Sequence, residues 1–244
     1  MSNLQFDILT IFPEFFDSCR GISLFGKALK EKKFALNIHN IRDFTHDKHH
    51  KVDDEPFGGG AGMVMKPEPL VEAIESVRLG SVTRGSMTLP KKSRTILMTP
   101  RGALFTQSKA KELAECEQII LICGRYEGVD ERVSELAVDE ELSIGDYILN
   151  GGEAASLVVM DCVARLLPGV VGNASSLADE SHTDGLLEYP QYTRPAEFRG
   201  LKVPEVLASG DHKKIVQWRR QQAEEITKKR RPDLIPLAKK SKTR

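Results

Sequence analysis

Ile119-Ile-Leu-Ile-Cys-Gly-Arg-Tyr-Glu-Gly128 opens with five apolar side chains in succession and closes on a charged turn bounded by glycines. A strand with one wet face alternates apolar and polar residues, so an unbroken apolar run predicts a strand covered on both faces, as in a parallel sheet between helices. Upstream, Thr95-Ile-Leu-Met98 reads as a second such strand, with residues 107–116 as the helix between them. Downstream come a helix over 131–137, a short strand ending at Ile144 and a long apolar helix over 153–167. Nearer the start, apolar runs at 6–12 and 36–41 alternate with helix-like stretches at 13–19 and 66–79. Strands interleaved with helices predict an α/β domain around a mainly parallel sheet.

The chain has 244 residues, of which 40% are hydrophobic, enough for one large or two modest cores and too many for a disordered or fibrous protein. Cys19, Cys116, Cys123 and Cys162 lie far apart, which suggests neither a CxxC motif nor a disulfide framework. Reduced thiols fit a cytoplasmic protein. The absence of an apolar run of about eighteen residues and of a charged leader disfavours membrane insertion and export.

Net charge is zero, but residues 185–244 hold 15 Lys and Arg against 7 Asp and Glu, while residues 1–184 hold 20 against 28. A basic tail on an acidic body suggests a polyanionic partner, because phosphates neutralised by Lys or Arg release counterions. Periodicity fades between 168 and 185 into a polar stretch rich in glycine, serine and acids. This predicts a first domain over 1–171, a linker over 172–184 and a small basic helical domain over 185–244, with Asp211 as the N-cap of its main helix.

Three glycine-rich turns stand out: Gly58-Gly-Gly-Ala-Gly62, Gly124-Arg-Tyr-Glu-Gly128, and the run from Ile144 to Gly152. None is a GxGxxG opening a helix, and no GxxxxGK[ST] occurs, so neither a dinucleotide fingerprint nor a P-loop is supported. The last two follow predicted strands, and the carboxyl ends of strands in open α/β sheets are where ligands bind. His46, His49 and His50 near Asp43 and Asp47 raise a metal reading, but His46 and His50 share a face only in a helix and no third ligand is evident. No metal site is assigned, and structural or RNA-contacting roles suit these histidines better.

Gly124-Arg-Tyr-Glu-Gly-Val-Asp-Glu-Arg132, followed by Ser143-Ile-Gly-Asp-Tyr-Ile-Leu-Asn-Gly-Gly-Glu153, resembles the signature of the TrmD type of bacterial tRNA (guanine-N1)-methyltransferase. Leu9-Thr-Ile-Phe-Pro-Glu14, Arg42-Asp-Phe-Thr-His-Asp47, Gly58-Gly-Gly-Ala-Gly-Met63, Pro168-Gly-Val-Val-Gly172 and Gly185-Leu-Leu-Glu-Tyr-Pro-Gln-Tyr-Thr-Arg-Pro195 are similar to further blocks of that family, in order. Residues 76–94 resemble it least and read as a variable loop.

The resemblance implies a SPOUT-type first domain whose backbone forms a trefoil knot, an exception to the rule against threaded chains. It implies an obligate homodimer with composite active sites, a tRNA substrate methylated at guanosine 37, S-adenosylmethionine as donor and help from magnesium. It places the cofactor against Leu97, Met98, Thr99 and Pro100, against Gly124, Arg125, Tyr126, Glu127 and Gly128, and against Ile144, Gly145, Asp146, Tyr147, Ile148, Leu149, Gly151 and Gly152. It places the catalytic arginine at Arg165 and the general base in the linker, where Glu180 matches by position and Asp179 stands beside it.

The chemistry agrees with these assignments. Neutral guanine N1 has no in-plane lone pair, so deprotonation must accompany or precede methyl transfer. That calls for a carboxylate base, Glu180 or Asp179, and a cation at O6, Arg165, with Glu127 on the guanine edge. Two other readings remain at this level. A knotted methyltransferase of ribosomal RNA would lack the 185–195 block, and a non-catalytic RNA-binding protein would be expected to lose Arg165 or both acids.

Overall fold

The structure is a computed structural model and describes residues 4–83, 90, 92–172, 180–183 and 185–235. In chain order the first unit contains β1 (Gln5–Thr10), α1 (Ser23–Lys30), β2 (Ala35–Asn40), the short antiparallel pair β3 (Asp53–Asp54) and β4 (Val64–Met65), and α2 (Pro67–Thr83). It continues with β5 (Ser93–Leu104), α3 (Gln107–Leu113), β6 (Gln118–Cys123), α4 (Glu131–Ala137), β7 (Glu140–Ser143) and α5 (Glu153–Ala164). The central sheet has the order β2-β1-β6-β5-β7, and all four pairings are parallel.

The unbroken apolar run places β6 at the centre of this sheet, buried at every position. Because side chains alternate across a strand, Ile119, Leu121 and Cys123 join a core with Val159 and Met160 of α5, while Ile120 and Ile122 join a second core with Leu70 and Ile74 of α2 and Val133 of α4. Helices therefore cover both faces. Each aliphatic side chain so buried contributes about 1.5–3 kcal/mol relative to exposure.

Several elements differ from expectation. Helix α2, whose Leu70, Ala73, Ile74 and Val77 form one buried apolar face, runs on to Thr83, well into the stretch read as a variable loop. Residues 84–89 and 91 lie outside the described residues. The stretch at 13–19 makes two 3-10 turns, Pro13–Phe16 and Ser18–Arg20, and α1 had no expectation at all. Helix α5 ends at Ala164, so Arg165 is its C-cap and not a residue of its interior. Strand β5 continues to Leu104 through a register shift between Met98 and Ala103. Gly102 lies in that shift, and a Cβ there would meet the Glu141 carbonyl carbon at 2.5 Å.

The chain divides into two compact units, Met1–Gly172 and Asn173–Arg244. Of the residues expected as a linker, 173–179 and 184 lie outside the described residues, as does the Lys-rich end from 236. The second unit contains the two-residue strands β8 (Glu197–Phe198) and β9 (Leu201–Lys202), α6 (Glu205–Ala208) and α7 (His212–Arg230). The Asp211 carboxylate accepts from the Lys214 amide at 3.2 Å, capping α7, and Lys228, Lys229 and Arg230 lie in its last turn, where the helix dipole favours cations. The Thr227 hydroxyl accepts from the Leu187 amide at 2.9 Å, and the Arg219 guanidinium lies 4.7 Å from the Tyr189 ring centre. No helix among the described residues is long and apolar enough to cross a membrane.

Candidate active site

A cavity of about 480 Å³ opens at the carboxyl ends of β5, β6 and β7, within the range of small-molecule sites. Its wall is built from three segments: residues 97–101, residues 124–129 and residues 142–152. Leu97, Met98, Thr99 and Pro100 come from β5 where its pairing with β6 ends, and Gly124, Arg125, Tyr126, Glu127 and Gly128 from the turn after β6. Ile144, Gly145, Tyr147, Ile148, Leu149, Gly151 and Gly152 come from the loop before α5. Asp146 alone among the residues expected at the cofactor is not in the lining. It is exposed at the tip of a turn in which the Tyr147 amide donates to the Gly145 carbonyl at 3.0 Å.

Close backbone approach holds the wall together. The Gly152 amide donates to the Gly124 carbonyl at 2.9 Å, and a Cβ on Gly152 would lie 2.7 Å from the Cys123 Cα. Gly145 adopts φ +147°, which side chains rarely tolerate, and a Cβ there would sit 2.6 Å from the Tyr147 ring. Tyr126 has φ +61°, a conformation costing about 1–3 kcal/mol in a residue with a side chain, and such strain clusters at functional sites. It is held by the Gly128 amide donating to Arg125 at 3.2 Å and by the Glu127 amide donating to Met63 at 3.0 Å.

The first glycine-rich turn, which sequence reasoning left out of the site, also reaches this wall. A Cβ on Gly62 would run into the Glu127 carboxylate. Arg101, Val129, Leu142, Ser143, Asn150 and Ala155 line the cavity and were missed as well. Val129, Ser143 and Asn150 lie inside the quoted motifs, and Arg101, Leu142 and Ala155 extend the expected segments by one to three residues. Arg101 is paired with both Glu131 and Glu141, the latter at 3.1 Å.

An ion pair joins the lining residue Arg125 to Glu153, which is buried behind the lining. Glu153, 1% exposed, accepts from Arg125 Nε at 3.0 Å and from the Thr10 hydroxyl at 2.8 Å. Arg125 also donates to the Asn150 carbonyl at 3.2 Å and lies 4.5 Å from the Phe12 ring centre. The pair thus ties the turn after β6 to the loop before α5 and to the end of β1. Burial, reinforced by the Glu153 charge, pushes the Cys123 thiol far above its ordinary range, so it is no thiolate nucleophile.

Arg165, the C-cap of α5, is not among the residues lining this cavity. The Arg165 amide donates to the Asp161 carbonyl at 3.2 Å at the end of α5. Glu180 belongs to the second unit, where its carbonyl accepts from the Thr183 amide at 3.2 Å. Asp179 lies outside the described residues. The histidines have local partners: His46 contacts Glu72 at 2.8 Å, and His50 contacts the Thr45 hydroxyl at 2.9 Å.

The family model described as tRNA (Guanine-1)-methyltransferase TrmD matches residues 4–237. A tRNA (guanine-N(1)-)-methyltransferase of Ruminiclostridium cellulolyticum is 51% identical over 232 residues, covering 95% of this chain and 96% of that protein. One from Geotalea uraniireducens is 53% identical over 232 residues, covering 95% and 90%, and one from Bacillus cereus is 49% identical over 239 residues, covering 98% and 95%. With a family match across nearly its whole length and relatives near half identity, the chain belongs to the TrmD family of tRNA (guanine-N1)-methyltransferases.

Proposed function

We propose that the chain transfers the methyl group of S-adenosylmethionine to N1 of guanosine 37 in tRNA, immediately 3′ of the anticodon. The observation that carries this reading is the cavity at the carboxyl ends of three parallel strands, walled by the loops at 97–101, 124–129 and 142–152 in a chain of this family. Its character suits the cofactor: Leu97, Met98, Ile148 and Leu149 offer apolar surface to an adenine, and glycines at 124, 151 and 152 let backbone groups come close to a ribose. When bound, the cofactor supplies an activated methyl on a sulfonium.

The remaining work belongs to the chain's own groups. Glu180, or Asp179 beside it, takes the N1 proton; Arg165 holds the negative charge that develops at O6; Glu127 contacts the guanine edge. The basic second unit, α7 foremost, binds the tRNA backbone. The first unit is knotted in a SPOUT-type trefoil, and two copies form a homodimer in which the linker and second unit of one complete the site of the other. Magnesium finds no cluster of three or more His, Cys, Asp or Glu side chains among the described residues that could hold it, and no step is assigned to it.

The test is mass spectrometry of nucleosides from unmodified tRNA incubated with the protein and labelled S-adenosylmethionine. Labelled 1-methylguanosine is expected, from position 37 alone. Label in another nucleoside, or none with a folded protein, overturns the reading.

A further inference from the structure

Among the described residues three charged side chains line the cavity, Arg101, Arg125 and Glu127. Arg101 is neutralised at the surface by Glu131 and Glu141. Among the described residues Arg125 is paired with one carboxylate, Glu153, which does not line the cavity and is 1% exposed. Burying an acid at this depth is costly unless it is paired and hydrogen-bonded, and removing one member of such a pair leaves the other's charge uncompensated. Glu153 meets those conditions through Arg125 and Thr10, while the Phe12 ring and the Asn150 carbonyl hold the guanidinium in place. A Cβ on Gly151 would collide with the Arg125 side chain and lie 2.7 Å from a Glu153 carboxylate oxygen, so a glycine is needed for the pair to lie under the loop.

We propose that Glu153 is a specificity-determining positioning residue: by cancelling the charge of Arg125 from behind the wall, it leaves Glu127 to set a negative field in the cavity and so favours a cationic ligand over its neutral counterpart. The inference rests on the cofactor reading above. The methyl donor carries a sulfonium charge, and the product S-adenosylhomocysteine has the same framework without it. A merely structural glutamate would affect both ligands alike. A charge-balancing one discriminates between them, because the two differ by a single charge.

The cavity is on the order of 10 Å across and Arg125 is mostly buried in its wall, so uncovering the Arg125 cation lowers the affinity of a cationic ligand by about ten-fold. Calorimetry of the full chain without tRNA, using S-adenosylmethionine and S-adenosylhomocysteine as probes, reads this directly. Glu153→Gln keeps the size of the side chain and an acceptor for Thr10. It is expected to weaken S-adenosylmethionine about ten-fold while changing S-adenosylhomocysteine by less than about two-fold. Adding Arg125→Gln to it removes the stranded cation and returns the ratio of the two affinities toward wild type. Should Glu153→Gln fail to fold, Arg125→Gln alone is expected to move the ratio the other way, in favour of the cation. Equal losses for both ligands, or an unchanged ratio in whichever variants fold, overturn the proposal. Wild-type protein that binds neither ligand would instead remove the cofactor reading itself.

Discussion

Replacing Gly152 by alanine adds one methyl group where three segments of the cavity wall meet. The backbone at Gly152 has φ −77° and ψ −7°, open to any residue, so the change carries no conformational penalty and its cost is steric. The new Cβ would stand 2.7 Å from the Cys123 Cα, 3.1 Å from the Gly124 nitrogen and 3.2 Å from the Met98 Cβ. The first two are main-chain atoms at the carboxyl end of the buried central strand, which cannot swing aside as a flexible side chain would. Overpacking of this kind costs about 1–3 kcal/mol. Relief by moving the loop outward stretches the 2.9 Å bond from the Gly152 amide to Gly124, which itself contributes about 0.5–1.5 kcal/mol. For a chain of this size a loss of about 1–3 kcal/mol lowers the melting temperature by about 3–10 °C. Displacing the wall should also weaken S-adenosylhomocysteine by about ten-fold, since well-placed polar contacts at such a site fail with shifts near 1 Å. Scanning calorimetry and titration calorimetry measure the two effects. Gly172→Ala is the control, because nothing lies within 4 Å of its added methyl. It should stay within about 0.5 kcal/mol of wild type. If Gly152→Ala melts within about 1 °C of wild type and binds within about two-fold, the wall is not held by close packing of residues 123, 124 and 152.

Three further outcomes are expected. Arg165→Ala should lower single-turnover methylation by about a hundred-fold while S-adenosylhomocysteine affinity stays within about two-fold, because the guanidinium is assigned to charge that appears only in the transition state; equal losses mark it as structural. If Glu180 is the base, Glu180→Gln should lose about two orders of magnitude in methylation yet keep tRNA binding, its residual rate rising with pH, while Asp179→Asn costs little; the reverse pattern moves the role to Asp179. Asp7 is buried, which by itself would raise its pKa, but hydrogen bonds from His39, Gln118, Gln5 and Asn37 outweigh burial and hold the carboxyl below its ordinary 3.8. Its contribution is therefore present above pH 4 and fades as pH falls through the depressed value. Urea unfolding should show Asp7→Asn destabilised by about 1–3 kcal/mol at pH 7, with the gap to wild type closing toward pH 3; a gap independent of pH refutes this.

The run from Ile119 to Cys123 announces a doubly covered strand because continuous apolarity is incompatible with a wet face, and it is the central strand. Helix α4 and the Asp211 cap of α7 followed from local rules that need no distant partner. Glycine, charge and position after a strand marked the turns after β6 and β7 as candidate ligand loops, and both line the cavity. Residues 97–100 and the roles of Arg165, Glu180 and Asp179 came from family resemblance, since spacing carries no information about which loops meet.

What escaped such reading depends on contacts remote in sequence. The Thr10 hydroxyl reaches Glu153 across 143 residues, and nothing in either neighbourhood announces the other. Gly62 abuts Glu127 only because β4 lies beside the turn after β6, through the Met65–Val129 bridge. Helix α2 runs on to Thr83, past its expected end at 79, and α5 stops at Ala164, short of the Pro168-Gly169 pair that marks its end in the sequence. Hydrophobic periodicity tells which side chains leave water, but the free energy of leaving water is non-directional. Choosing among the buried partners takes shape and hydrogen bonding, and these exist only once the strands have paired and the helices have packed.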